Sequence, residues 1–218
     1  MGRAQPSLNS MTYLLSNPDA VWRRFVEHLA LTATALALAL LIALPLGLLI
    51  ARIPRLRGVV LGVLGVVYTI PSLSLFVLLI PLMGLGFWPA VTALVAYAQI
   101  VLVRNVLLGL TGVEPAVVEA ARGMGMSSWQ RLTRVELPLA LPLITAGVRV
   151  ATLSIIGIGT IAAYINAGGL GRLLFEGVTT GNPQKIVAGA LAVSALAVGA
   201  NLLLWLAERR AMRAAYGG

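Results

Sequence analysis

Residues 118–138, VEAARGMGMSSWQRLTRVELP, lie in the one sizeable polar segment of an otherwise apolar chain. Just before them, Glu114-Pro115 predicts the start of a helix, because proline is tolerated in the first helical turn. Good helix formers follow the proline, and either Gly123 or Gly125 can supply the left-handed residue that ends the helix. The first half of the stretch therefore predicts a short helix closed by a glycine turn.

The second half of the stretch predicts another helix. Ser127 or Ser128 can cap its beginning. The helix would continue through Trp129 and end before Pro138, since the residue before a proline avoids the helical conformation. The two helices and the turn between them would then project away from the flanking apolar segments. Because the side chains at the bend are small, a partner protein could approach it closely.

Charge-free stretches flank this segment and occupy most of the chain. Four of them reach the length of about 20 apolar residues that a transmembrane helix needs: 29–51, 58–103, 137–171 (interrupted only by Arg149) and 186–207. The second is long enough for two helices, with a hairpin at the proline- and glycine-rich residues 81–89. These stretches together predict an all-α integral membrane protein with five transmembrane helices. A sixth, re-entrant segment near residues 168–175 is the alternative.

Composition supports a membrane protein and excludes several kinds of chemistry. Of 218 residues, 59% are hydrophobic and 11% are charged, against about 25% charged in soluble domains. Cysteine is absent, which excludes disulfides and thiolate metal sites. The only lysine, Lys185, follows Gln184, so the Gly-Lys pair of a nucleotide-binding P-loop is missing. No catalytic residue, metal site or cofactor is therefore predicted on this chain.

The chain is predicted to have three parts: an N-terminal segment (1–28), a transmembrane domain (29–207) that contains the polar loop 104–138, and a tail (208–218). The N-terminal segment lacks the apolar core and cleavage site of a signal peptide. From Val21 to Leu29 apolar side chains recur at helical spacing with charged ones opposite, which predicts an amphipathic helix in the membrane interface. The alternative is that this helix simply extends the first span.

The distribution of basic residues predicts the orientation. Five spans place the termini on opposite sides, and an outer N-terminus puts most of the 16 basic residues on the inner side. The positive-inside rule therefore favours an outer N-terminus, an inner polar loop and an inner C-terminus. The net charge of +9 then mainly reflects topology. Nucleic-acid binding is not predicted, because no basic face combines with exposed aromatic residues.

The polar loop resembles the EAA loop of ABC importer permeases, the membrane-spanning subunits of ATP-driven importers. The resemblance combines residue types, their spacing and their place in a cytoplasmic loop. The matching residues are Glu119-Ala120-Ala121, Gly125, Val135 and Leu137-Pro138. Valine at position 135 replaces the commoner isoleucine of the family. The resemblance implies the type I ABC importer permease fold, with a coupling helix in the cytoplasmic loop.

Other segments narrow the resemblance to the osmoprotectant permeases, which import glycine betaine, carnitine and choline. Residues 69–73, 119–142 and 167–171 look like theirs, and the likeness covers roughly residues 20–207. The methionine permeases are the nearest competitor, because their size, span number and loop are similar. The expected substrate is therefore a quaternary amine or another osmoprotectant, with methionine or another small zwitterion as the alternative.

The resemblance also implies further subunits. These are two copies of a separate ABC ATPase that binds ATP and magnesium, a second permease subunit (identical or different), and an extracytoplasmic substrate-binding protein. The complex would lie in the bilayer of a bacterial or archaeal cytoplasmic (inner) membrane. The residues expected to couple this chain to the ATPase are Glu119, Ala120, Ala121, Gly125 and Pro138.

Two interruptions of the helical pattern, one of them a predicted kink, are candidates for the translocation path. Irregular backbone survives in a membrane only where it is buried in protein or lines a cavity. The candidate residues are Tyr68, Pro71, Ser72, Tyr164 and Asn166. The tyrosine rings could attract a quaternary ammonium group through cation–π contact. The alternative is that both tyrosines belong to the aromatic belt at the outer interface.

Two other polar residues are given structural roles. Arg149, inside an apolar stretch, is expected to snorkel to the inner surface or to pair with a loop carboxylate such as Glu136. The lone histidine, His28, is expected at the membrane interface, because a metal site would need partners that the sequence lacks.

Two other classes of function compete with a permease. An intramembrane enzyme is weakened by the lack of an acidic, histidine or cysteine side chain well inside a span. A passive channel or membrane scaffold would leave the structured polar loop unexplained. Co-purification with a soluble ATPase separates the permease from both.

Overall fold

The computed structural model describes residues 16–216, with side chains to residue 213, and within that part all regular structure is helical. Residues 1–15 of the predicted N-terminal segment and 217–218 of the tail lie outside the described residues. The helices are α1 (Pro18–Arg52), α2 (Pro54–Thr69), α3 (Ser72–Met83), α4 (Phe87–Thr111), α5 (Pro115–Gly123), α6 (Ser128–Arg131), α7 (Leu137–Ile161), α8 (Gly171–Thr179) and α9 (Pro183–Tyr216). A π turn, Leu132–Glu136, joins α6 to α7, and a 3-10 turn, Ala162–Ile165, follows α7.

The described helices provide five candidate membrane spans by length and composition. α1, α4, most of α9 and the run Ser128–Ile165 each pass alone, and α2 with α3 passes as a pair bent by 95°. The predicted kink is thus a sharp break, because Pro71 lacks an amide hydrogen and restricts the residue before it. The predicted hairpin lies between α3 and α4, where Gly84 and Gly86 have positive φ.

The stretch predicted as an interfacial helix is part of α1. Residues 18–28 continue into the long apolar helix without a break, which is the alternative of a simple extension of the first span. The helix begins at Pro18, since proline is favoured at the first helical position, and the Val21 amide donates to the Asn17 carbonyl at 3.2 Å. Within Pro18–Arg52, the charged first turns and the apolar span form one continuous helix.

The segment near residues 168–175, predicted as a possible sixth, re-entrant piece, contains the short helix α8. Its nine residues are well below the about 20 that a spanning helix needs. Because its two faces differ strongly, with Leu173 and Gly177 buried and Arg172 and Val178 exposed, α8 has the pattern of a helix lying on a surface.

The chain divides into two compact units. The first comprises Met1–Ala37, Ile70–Val95 and Leu153–Gly199. Its core contains the fully buried side chains of Leu31, Phe76, Leu94, Ile155, Ile165 and Leu170. This unit holds the 3-10 turn, the left-handed residues after it and α8.

The second unit comprises Leu38–Thr69, Ala96–Thr152 and Ala200–Gly218. Its parts of α1, α4 and α7 approach closely at small residues, as helices in membranes commonly do. A Cβ atom at Gly47 would lie 2.5 Å from Val106, and one at Gly147 would lie 2.5 Å from the Asn105 Cβ. This unit also contains α5, α6 and the π turn.

Gly147→Ala is expected to destabilise the protein, because the added methyl group meets Asn105 at a distance that no real Cβ tolerates. Overpacking of this kind costs about 1–3 kcal/mol. Gly62→Ala is the matched control, since Gly62 is also helical and has no atom within 4 Å of its Cβ position. Thermal unfolding of the purified transporter should show a lower midpoint for Gly147→Ala only. Equal midpoints for the two variants would contradict the close approach.

Candidate coupling surface and translocation path

The predicted loop helix is α5, and its ends have the expected chemistry. Pro115 occupies its first turn, and Gly125 has a φ of +79° just beyond its end. The Met126 amide donates to the Ala121 carbonyl at 3.2 Å, and the Gly125 amide donates to the Arg122 carbonyl at 3.0 Å. These two bonds define a Schellman motif, which requires a left-handed residue at Gly125. Gly125 is therefore the turn residue, and Gly123 remains helical.

The candidate coupling residues do not all face outward. Glu119, Ala120, Gly125 and Pro138 are exposed, whereas Ala121 is 1% exposed and packs into the second unit. Beside them, Met124 and Trp129 are each 71% exposed, although both are large and apolar. Large apolar side chains exposed together are a common mark of a protein interaction site. This surface was not singled out from the sequence, because exposure depends on how α5 packs.

The second loop helix begins as predicted but does not end as predicted. Ser127 and Gln130 form a capping box: the Gln130 amide donates to Ser127 Oγ at 3.3 Å, and the Ser127 amide donates to Gln130 Oε1 at 2.8 Å. The expected end before Pro138 is wrong. The Leu137 amide donates to the Leu132 carbonyl in a π turn, and the helix passes Pro138 into α7. A wider turn relieves the crowding that proline imposes on the preceding turn.

The region 104–138 is therefore less of a loop than predicted. α4 continues to Thr111 and α6 begins at Ser128, so α5 and two short connections lie between two long helical runs. A groove of about 320 Å³ lies beside α5, lined by Arg52, Leu110, Val113, Pro115, Val118, Glu119, Arg122 and Glu136. The groove is thus lined by both acidic and basic side chains.

Glu136 forms an ion pair that the sequence did not indicate. Its Oε2 lies 2.6 Å from Arg52 Nη2, and its side chain is 7% exposed against 47% for Arg52. The pair joins the end of α1 to the π turn. The predicted pairing of Glu136 with Arg149 is wrong. Arg149 Nε lies 2.9 Å from Glu208 Oε2, so Arg149 does pair with a carboxylate, but with one on α9.

The candidate path residues of the first break lie around the bend between α2 and α3. The Tyr68 ring is 46% exposed and meets the Tyr97 ring edge-on at a centroid distance of 5.8 Å. Both tyrosines belong to the second unit. Pro71 is exposed and Ser72 is half-buried at the start of α3, in the first unit.

The candidate path residues of the second break lie together in the first unit. Tyr164 is 62% exposed, and its ring centroid lies 6.0 Å from that of Phe175 on α8. Asn166 is exposed and has a φ of +62°, the one left-handed non-glycine residue described. The aromatic pair was missed from the sequence because only the fold brings α8 back against the 3-10 turn.

His28 does not lie at an interface as predicted. It is fully buried in the first unit, and its Nε2 lies 3.2 Å from the Ile156 carbonyl oxygen. The pattern around residue 28 places it on the charged side of the helix, but α7 and the segment after it cover that side. A buried imidazole is stable there because the carbonyl oxygen supplies a hydrogen-bond partner.

The long apolar helices are those of a protein that crosses a membrane several times. Residues 43–213 match the family described as the binding-protein-dependent transport system inner membrane component. The chain belongs to that family, and it is a multi-pass inner-membrane permease of an ABC importer. Transport, and not catalysis, is the activity of the family.

Characterised relatives match almost the whole chain. It is 42% identical over 207 residues to the osmoprotectant import permease protein OsmW of Salmonella typhimurium, covering 93% of this chain and 95% of that protein. It is 37% identical over 200 residues to the glycine betaine/carnitine/choline transport system permease protein OpuCB of Bacillus subtilis, covering 92% of both. Among solved structures, it is similar to the MetNI methionine ABC transporter in an inward-facing conformation, with a TM-score of 0.76 and 26% identity over 90% of this chain and 96% of that one.

Proposed function

We propose that this chain forms the translocation path for a quaternary amine or related osmoprotectant, such as glycine betaine, choline or carnitine. The observation that carries the proposal is the 42% identity to an osmoprotectant import permease over more than nine-tenths of both chains. Methionine or another small zwitterion is the second candidate, favoured by the similarity to the methionine transporter structure at the lower identity of 26%.

Uptake by the complete transporter tests the substrate. The permease would be reconstituted in vesicles with its ATPase and binding protein, and ATP-dependent import of labelled glycine betaine, choline, carnitine and methionine would be compared. Import of one or more quaternary amines without import of methionine is expected. Import of methionine alone would replace the proposed substrate class by the second candidate.

The proposed assembly contains two permease subunits, identical or different, two copies of a separate ABC ATPase, and an extracytoplasmic substrate-binding protein. ATP and magnesium would bind on the ATPase. The proposed orientation has the N-terminus outside and α5 and the C-terminus on the cytoplasmic side, because most basic residues then lie inside. The membrane is a bacterial or archaeal cytoplasmic membrane.

The proposed coupling element is α5 with its glycine turn. Glu119, Ala120 and Gly125 are exposed on α5 and its glycine turn. Met124 and Trp129 add exposed apolar surface near them in the chain. Such a helix can insert into a groove on the ATPase, so that closure of the ATPase moves it together with α4 and α7. Ala121 would act from the buried face of α5, because its small side chain lets this face pack closely against the rest of the second unit. Pro138 would act through the π turn before it.

The proposed path residues are Tyr68, Pro71, Ser72, Tyr164 and Asn166. Exposed aromatic rings at both breaks support the proposal, since a ring face attracts a quaternary ammonium group.

Substitution of Tyr164 tests the path. Tyr164→Ala is expected to lower choline import by about tenfold, because a cation–π contact with a partly desolvated ring contributes about 1–2 kcal/mol. Tyr164→Phe keeps the ring and should import at the normal rate. Initial rates at several choline concentrations would be measured with the reconstituted transporter. Unchanged import by Tyr164→Ala would place this tyrosine in the aromatic belt instead.

A further inference from the structure

The left-handed segment after α7 rests against one turn of α1. This segment, which we call the path bend, comprises residues 166–169, with φ values of +62° at Asn166, +81° at Gly168 and +79° at Gly169. The Gly169 amide donates a hydrogen bond to Glu27 Oε2 at 2.9 Å. The bond joins residues 142 positions apart in the chain, so it fixes the bend to α1 and not to its own neighbours.

The path bend fits Glu27 and His28 closely. A Cβ atom at Gly168 would lie 2.7 Å from Glu27 Oε2, and one at Gly169 would lie 2.9 Å from His28 Nδ1. A side chain at either position would adopt a strained positive φ, and at Gly168 the atoms that crowd it belong to Glu27 alone.

Two kinds of contact hold the path bend. Those at its start and beneath it are buried: the Gly86 amide donates to the Ile165 carbonyl at 2.8 Å, and His28 lies against the Ile156 carbonyl. The Glu27 side chain, by contrast, is 35% exposed, and Arg24 Nη1 contacts both of its oxygens, at 2.9 and 3.1 Å. Glu27 thus keeps a charged partner when it releases Gly169, so release leaves no unpaired charge.

We propose that Glu27 is a positioning residue of the translocation path: its bond to the Gly169 amide holds the path bend shut, and the bond breaks in each transport cycle. The path bend carries Asn166 and follows Tyr164, two residues of the proposed path. This inference therefore rests on the proposed function. While the bend is open, the Glu27 carboxylate stays paired with Arg24. When the bend closes, the same carboxylate again accepts a hydrogen bond from the Gly169 amide.

A cysteine pair can test whether the bond must break. A Cβ at Gly168 would lie 3.8 Å from the Glu27 Cβ, which is the average Cβ separation in disulfides, about 3.8 Å. The chain has no cysteine of its own. The double variant Glu27→Cys/Gly168→Cys can therefore be oxidised in the assembled transporter without competing thiols on this chain.

Oxidation is expected to lower glycine betaine import by at least about tenfold, because the bend can no longer leave α1, and a reductant should restore it. Blocking of maleimide labelling measures how much of the protein is cross-linked. The two single-cysteine variants under the same oxidant are the controls. Complete cross-linking with unchanged import would overturn the proposal, since the contact would then be permanent.

Side-chain variants decide the matter if the reduced cysteine pair does not transport. Glu27→Gln keeps an oxygen that accepts from the Gly169 amide but loses the charge that pairs with Arg24, and it should import more solute than Glu27→Ala. Glu27→Ala loses the acceptor and should import about tenfold less solute per ATP hydrolysed, with an unchanged yield of assembled complex. Glu176→Ala is the matched control, because this exposed carboxylate of the same unit pairs with Arg172 and Lys185. Equal coupling in Glu27→Ala and Glu176→Ala would contradict a positioning role.

The ATPase rate separates this inference from the proposed substrate. If the unmodified transporter imports neither glycine betaine nor choline nor carnitine, the substrate proposal fails. Cross-linking should still suppress ATP hydrolysis stimulated by the binding protein if the path bend must open. If the unmodified transporter imports glycine betaine and cross-linking changes neither rate, only the role of Glu27 fails.

Discussion

Gly125→Val is expected to lower solute import by at least about tenfold, because it forces a β-branched residue into the left-handed conformation at a cost of about 1–3 kcal/mol. Gly125 has a φ of +79°, and no atom lies within 4 Å of its Cβ position, so the cost arises from the backbone alone. The protein can avoid this cost by opening the Schellman motif. The end of α5 would then move, and with it the surface proposed to meet the ATPase.

Gly123→Val is the matched control for this prediction. Gly123 is two residues away, is also exposed and has open space around its Cβ, but its backbone is helical. Gly125→Asn should retain most activity, since asparagine tolerates the left-handed region, as Asn166 does in this chain. Import, ATP hydrolysis and co-purification of the ATPase would be measured for all three variants. Equal losses for Gly123→Val and Gly125→Val would show that bulk, and not backbone conformation, matters at this turn.

Arg52→Ala is expected to be the most destabilising of the charge substitutions on this chain. It leaves the Glu136 carboxylate, 7% exposed, without its cation. Removal of one partner from a fully buried ion pair costs about 3–5 kcal/mol, and solvent screening of the half-exposed Arg52 makes the cost smaller here. Glu136→Gln should cost less, because Arg52 is 47% exposed and water can solvate the remaining charge. The order of the two effects follows from this difference in exposure.

A double variant distinguishes the ion pair from the two separate residues. Arg52→Ala/Glu136→Gln leaves no buried charge unpaired and should recover much of the stability lost in Arg52→Ala. Arg55→Gln removes an exposed charge from the same stretch and controls for loss of positive charge at the end of α1. Thermal unfolding of the purified transporter and import by reconstituted vesicles would be measured together. Additive effects of the two single substitutions would show that the residues do not interact.

Features that depend on a few neighbouring residues could be predicted from the sequence. The spans followed from charge-free stretches, the hairpin at Gly84 and Gly86 from local turn chemistry, and the cap at Ser127 from its own side chain. Gly125 was one of two glycines that could supply the turn. Each of these depends on propensities that act over one or two helical turns.

Features that depend on distant residues could not be predicted. Arg52 and Glu136 are 84 positions apart, so nothing in the local pattern pairs them, and Glu136 was named only as one carboxylate with which Arg149 could pair if it did not snorkel. The buried His28 side chain contacts the carbonyl oxygen of Ile156, which is 128 positions away. The same limit applies to Glu27 and Gly169, whose contact exists only once α1 and the path bend are folded together.

The π turn at Leu132–Glu136 gives this span one residue more than a regular helix would hold in the same rise. Each residue of an α-helix turns the chain by about 100°, so everything before the turn is rotated by that amount relative to everything after it. The side chains of α6, Trp129 among them, therefore face a direction set by this extra residue. A relative lacking one residue between 132 and 136 could form a continuous helix and still fold, but it would turn the residue at position 129, part of the surface proposed to meet the ATPase, about a quarter turn away.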